Sequence, residues 1–89
     1  MTTIHIIISG KVQGVFYRDS AKKQADKLGL TGWIKNTANG NVEAMVSGNN
    51  QELDQFLDWC KLGTEKSKVD DVTFDTVDDI VFTDFEIKH

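Results

Sequence analysis

The residues best suited to chemistry fall in KVQGVFYR, residues 11–18, where a single arginine closes a stretch holding a glycine and two aromatic side chains. A guanidinium presents a planar fork of N–H donors that grips two oxygens of a phosphate at once. Gly10 and Gly14 let the main chain turn sharply and come close to a ligand with no Cβ in the way. If a helix starts at the end of this stretch, its unpaired N–H groups and its dipole favour a negative group there. Arg18 in that first turn opposes the dipole unless an anion sits between them, so the pattern points to oxyanion binding. The same spacing also fits a plain strand-to-helix turn with Arg18 in solvent or paired to Asp19. It is not a Walker loop, because no Gly-Lys-Ser/Thr follows.

Elsewhere the reactive residue types are isolated. Cys60 is the one cysteine, so it cannot close an intrachain disulfide, and with the distant His5 and His89 it makes no zinc set. Its helical spacing with Leu53, Phe56 and Leu57 reads as core rather than as a nucleophile. His5 alternates within an apolar run and is expected to be partly buried or at an edge, while the terminal His89 is expected in solvent. Asp70, Asp71, Asp75, Asp78, Asp79 and Asp84 lack the Asp-x-Asp-x-Asp-Gly spacing and closing Glu of a calcium loop, and read as a solvated, edge-protecting face. No metal and no cofactor are expected. With 10 basic against 14 acidic residues and a net charge of −4, a nucleic-acid footprint is disfavoured. Phe16, Tyr17, Trp33 and Trp59 are therefore expected to pack core or shape the loop rather than stack on bases.

The elements that must position Arg18 follow from periodicity. IHIIIS, residues 4–9, is an Ile-rich run closed by Gly10, as in a central strand. Ala21, Ala25 and Leu28 recur at helical spacing between Asp19 and Gly29, predicting a first helix. TGWIKN and NVEAMVS, residues 31–36 and 41–47, read as a hairpin around Asn39-Gly40. Leu53, Phe56, Leu57 and Cys60 then mark a second helix between Asn49 or Asn50 and Gly63. VDDVTFDTV, residues 69–77, and IVFTDFEI, residues 80–87, alternate as two further strands. The order β-α-β-β-α-β, with a possible extra edge strand, predicts an α+β domain: a ferredoxin-like α/β sandwich with two helices on one face of an antiparallel sheet. A chain of 89 residues suits one domain spanning 1–89. MTTIHIII lacks the basic start of a secretory signal and no apolar run approaches membrane-spanning length, so a cytoplasmic protein without a membrane partner is expected.

This topology assigns a second polar residue to the site. In a right-handed split βαβ unit the first two strands run parallel with another between them, so their C-terminal ends share one edge of the sheet. Asn36, at the end of TGWIKN, then lies on the edge that carries the glycine loop, with one donor and one acceptor to offer. Its position is also that of the first residue of a hairpin turn.

Two stretches together, ISGKVQGVFYR at 8–18 and GWIKNTANGNVEAMVSG at 32–48, resemble the acylphosphatase family. Weaker similarity continues through LGLTGW at 28–33, FLDWCKLG at 56–63 and FTDFEI at 82–87. Where members often have Gly-Pro after the second helix and an alanine before the next strand, this chain has Gly63-Thr64 and Ser67, and it contains no proline. The resemblance implies a small free-standing enzyme of the bacterial type that hydrolyses acyl phosphates to carboxylate and inorganic phosphate without a metal. It implies that Arg18 binds the phosphate, that the backbone N–H groups of Gln13, Gly14, Val15, Phe16, Tyr17 and Arg18 cradle it, and that Asn36 orients the attacking water. The expected partners are a small-molecule acyl phosphate, and inorganic phosphate or sulfate as a product-like ligand, bound by a monomer. Two alternatives are a non-catalytic phosphate-binding module and the similar domain of hydrogenase-maturation proteins that act on carbamoyl phosphate.

Overall fold

The computed structural model describes residues 1–89. In chain order the elements are β1 (Thr2–Lys11), α1 (Tyr17–Leu28), β2 (Thr31–Asn36), β3 (Val42–Gly48), α2 (Asn50–Leu62), β4 (Lys68–Val77) and β5 (Phe85–Lys88). Strand alternation decides which face each side chain meets. Ile4, Ile6 and Ile8 of β1 are buried, as are Val42, Ala44 and Val46 of β3 and Ile34 of β2, and all lie on the face that the helices cover. Against them α1 sets Tyr17, Ala21 and Ala25, and α2 sets Leu53, Phe56, Leu57 and Cys60. Each large apolar side chain buried this way contributes roughly 1.5–3 kcal/mol. α1 begins at Tyr17, with Arg18 and Asp19 in its first turn, and Tyr17 supplies the first core contact of the helix.

The sheet order is β4-β1-β3-β2-β5. β1 pairs antiparallel with β3 and β4, and β2 pairs antiparallel with β3, so β1 and β2 run parallel with β3 between them. The extra edge strand is β5, and it pairs parallel to β2, which makes the sheet mixed rather than wholly antiparallel. The expected strand at 80–87 is corrected here, because ladder structure covers only Phe85–Lys88. β4 and β5 occupy opposite edges, so the residues between them must cross the sheet and cannot pair as a strand.

Residues 78–84 form that crossing strap. Its fixed point is a ring of hydrogen bonds: the Ile80 amide donates to Thr3 Oγ1 (3.1 Å), the Ser47 hydroxyl donates to the Ile80 carbonyl (3.0 Å), and the two hydroxyl oxygens lie 2.6 Å apart. With Ser47 donating to Ile80, the proton shared between the hydroxyls belongs to Thr3. Thr3 and Ser47 are both buried, so their hydroxyls have no water as a substitute, while Ile80 on the strap is exposed. Thr3→Val is expected to lower stability by about 1–2 kcal/mol, read as a fall in the urea midpoint, since it removes the buried bond to Ser47 and the acceptor of the Ile80 amide. An unchanged midpoint would show the ring to be dispensable. No helix is long and apolar enough to cross a membrane.

Candidate active site

The loop between β1 and α1 is held down by its own apolar side chains. Val12, Val15 and Tyr17 are buried, whereas Gly14 and Phe16 face outward. β1 bulges at Gly10, where φ is +121° and the register with β4 shifts, and leaves the sheet only after Lys11. Gly14 (φ +73°) and Phe16 (φ +64°) both take the left-handed conformation, the alternation that turns successive N–H groups toward one concavity. For Phe16 this conformation costs on the order of 1 kcal/mol. The first backbone bond of the helix runs from the Ser20 amide to the Phe16 carbonyl. The amides of Gln13 through Asp19 donate to no carbonyl or side chain of the protein. Such a run of unpaired donors at a helix N-terminus can hold an anion.

Two side chains fix this loop to its neighbours. The Gln13 amide nitrogen donates to the carbonyls of Thr37 (2.8 Å) and Asn41 (2.7 Å), the two ends of the β2–β3 turn. On the other side the Thr64 hydroxyl donates to the Val15 carbonyl (2.8 Å). The clamp made by the Gln13 side chain was not apparent in the sequence, where only its backbone was assigned. One available signal was a long amide placed between a buried Val12 and a turn glycine.

Arg18 and Asn36 come to the same end of the sheet. Ile8 and Asn36 both pair with Val42, from opposite sides, so Asn36 stands level with Ile8, the last β1 residue paired to β3, at about 10 Å, two strand spacings away. Arg18 Nη1 donates to the Lys88 carbonyl (3.1 Å), and Lys88 is the β5 partner of Lys35, the residue before Asn36. Asn36 shares the strand parity of the buried Ile34, on the helix-covered face. Its Oδ1 is buried and accepts no hydrogen bond, an unusual state for a polar atom whose desolvation costs about 1–3 kcal/mol.

The other titratable groups are occupied. The Tyr17 hydroxyl donates to the Cys60 carbonyl at 2.7 Å, and burial holds its phenol far above the usual range. Burial also pushes the Cys60 thiol up to about 12, which removes the thiolate that a covalent route needs. His5 Nε2 lies 2.6 Å from Glu43 Oε2, and that hydrogen bond holds the Glu43 carboxyl below its ordinary range against the opposing effect of burial. The aspartates of the 70–84 region are exposed. No three His, Cys, Asp or Glu side chains converge on a point where a metal ion would sit.

Fold and site together define an α+β, ferredoxin-like protein with a loop of unpaired amides at a helix N-terminus. The sequence profile of the acylphosphatase family matches residues 4–87, and the chain belongs to that family. It is 42% identical over 86 residues to an acylphosphatase of Marinobacter nauticus, covering 96% of this chain and 94% of the relative. The crystal structure of an acylphosphatase from Bacillus subtilis superposes with a TM-score of 0.97 at 34% identity, with all of both chains covered (100% of each). The structure of an acylphosphatase from Coxiella burnetii superposes with a TM-score of 0.94 at 37% identity, over 98% of this chain and 92% of that one.

Proposed function

We propose that the chain is an enzyme hydrolysing the carboxyl–phosphate bond of acyl phosphates, with Arg18 and the amides of Gln13 through Arg18 holding the phosphate and Asn36 aiming the water. The observation that carries this assignment is the run of unpaired loop amides closed by Arg18, on the sheet end where the Asn36 Oδ1 is buried without a donor. A water held by the Asn36 side-chain amide turns a lone pair toward phosphorus. The water oxygen bonds to phosphorus as the acyl oxygen leaves in line, and the carboxylate departs with the bonding electrons. Its proton passes to a phosphate oxygen of the substrate, since no side chain at this end is placed as a base. The loop donors and Arg18 meet the equatorial oxygens, where charge gathers in the transition state.

An acyl phosphate already has a good leaving group, so positioning and charge stabilisation suffice and no metal is required. Every residue given a role lies on one chain of 89 residues, and a one-domain enzyme acting as a monomer is proposed. The test is hydrolysis of benzoyl phosphate, followed by loss of ultraviolet absorbance, in excess EDTA. Turnover at the same rate with and without chelator is expected. A wild-type protein that binds phosphate but leaves benzoyl phosphate intact would make the loop a recognition site, and a rate recovered only with added Mg²⁺ would overturn the metal-free mechanism.

A further inference from the structure

Resting on the acylphosphatase assignment, we infer that Phe16, flanked by Lys66, is the platform on which the acyl part of the substrate lies, and that it biases the enzyme toward acyl phosphates with aromatic or other extended apolar acyl groups. Phe16 is the one residue other than glycine with positive φ. Its side chain is 66% exposed, while those of Val15 and Tyr17 on either side are buried. A strained backbone at a large apolar residue that gains no burial has no explanation in the packing of the chain itself. The left-handed turn sends the ring outward from the lip of the loop whose amides are unpaired.

The ring is also flanked. Lys66 Nζ stands 5.9 Å from its centroid, and the turn carrying Lys66 is tied to the loop through Thr64 and Val15. Phosphate held in the loop directs its acyl substituent outward past this lip. A benzoyl ring reaching the lip can stack on Phe16 in the offset or edge geometry that aromatic pairs prefer. An acetyl group ends one carbon beyond the carbonyl and reaches little of the ring.

The quantity that tests this is the ratio of kcat/KM for benzoyl phosphate to kcat/KM for acetyl phosphate, measured for the wild type, Phe16→Asn and Phe16→Tyr. Asn tolerates the left-handed conformation and removes the ring, and Tyr keeps the ring. The ratio is expected to fall about tenfold in Phe16→Asn, the scale of one aromatic contact, and to stay within about twofold in Phe16→Tyr. A ratio that holds in Phe16→Asn, or that falls as far in Phe16→Tyr, would show that Phe16 acts only through the shape of the loop. Should Phe16→Asn fail to fold, Phe16→Gly carries the same comparison. A wild type inactive on both substrates would instead strike down the catalytic assignment, an outcome visible before any variant is made.

Discussion

Arg18→Gln is expected to lower kcat/KM for benzoyl phosphate by about 10³-fold or more, the scale seen when a charge-stabilising donor is removed from the transition state. Inhibition by inorganic phosphate should weaken with it, because a neutral amide cannot replace the forked, charged contact to two oxygens. Stability should fall by no more than about 1 kcal/mol. In the structure Arg18 makes one exposed bond, to the Lys88 carbonyl at 3.1 Å. A bond of that kind contributes about 1 kcal/mol or less, which in a domain of this size is a Tm shift of roughly 4–8 °C at most. Kinetics and thermal melting of the same preparation check both halves. A large fall in Tm accompanying the loss of activity would make Arg18 a structural residue, and full activity would remove it from the mechanism.

Asn36→Ala has a different signature. Turnover is expected to fall about 10²–10³-fold, by comparison with the loss of one preorganised polar group, while inhibition by inorganic phosphate stays close to the wild type. The separation arises because the loop amides and Arg18 remain, and only the group that would orient water is gone. Asn36 Oδ1 is buried with no donor, so its removal deletes a desolvation cost instead of a native bond. The melting temperature should therefore equal or exceed that of the wild type, the usual relation between stability and a site held ready for substrate. A variant that is both fully active and unchanged in stability would take Asn36 out of the reaction.

The legible parts of the sequence were those whose signal is local. Ile4, Ile6 and Ile8 announce a strand because side chains alternate every second residue, and Leu53, Phe56, Leu57 and Cys60 announce a helix because one face recurs every third or fourth. Both elements form as expected, and all of these side chains are buried. Ile80 and Phe82 carry the same alternation yet form no ladder. The Ile80 main chain bonds instead to the hydroxyls of Thr3 and Ser47, on the strap that must cross the sheet to join β4 to β5 at opposite edges. Alternation reports a half-buried extended segment and is silent on whether a partner strand stands beside it.

By itself the sequence determined the element order, the core-facing residues, the acylphosphatase resemblance and the candidacy of Arg18, because each is written in residue type and short-range spacing, and that element order in turn made Asn36 a candidate. The tertiary structure alone decided the parallel pairing of β5, the Gln13 clamp on the β2–β3 turn and the lodging of Arg18 on the carbonyl of Lys88, 70 residues away. In these last contacts the acceptor is a main-chain carbonyl, which every residue possesses and no residue type advertises. Only the closing of the sheet, which brings the ends of β1, β2 and β5 level, selects which carbonyls meet the side chains of the site.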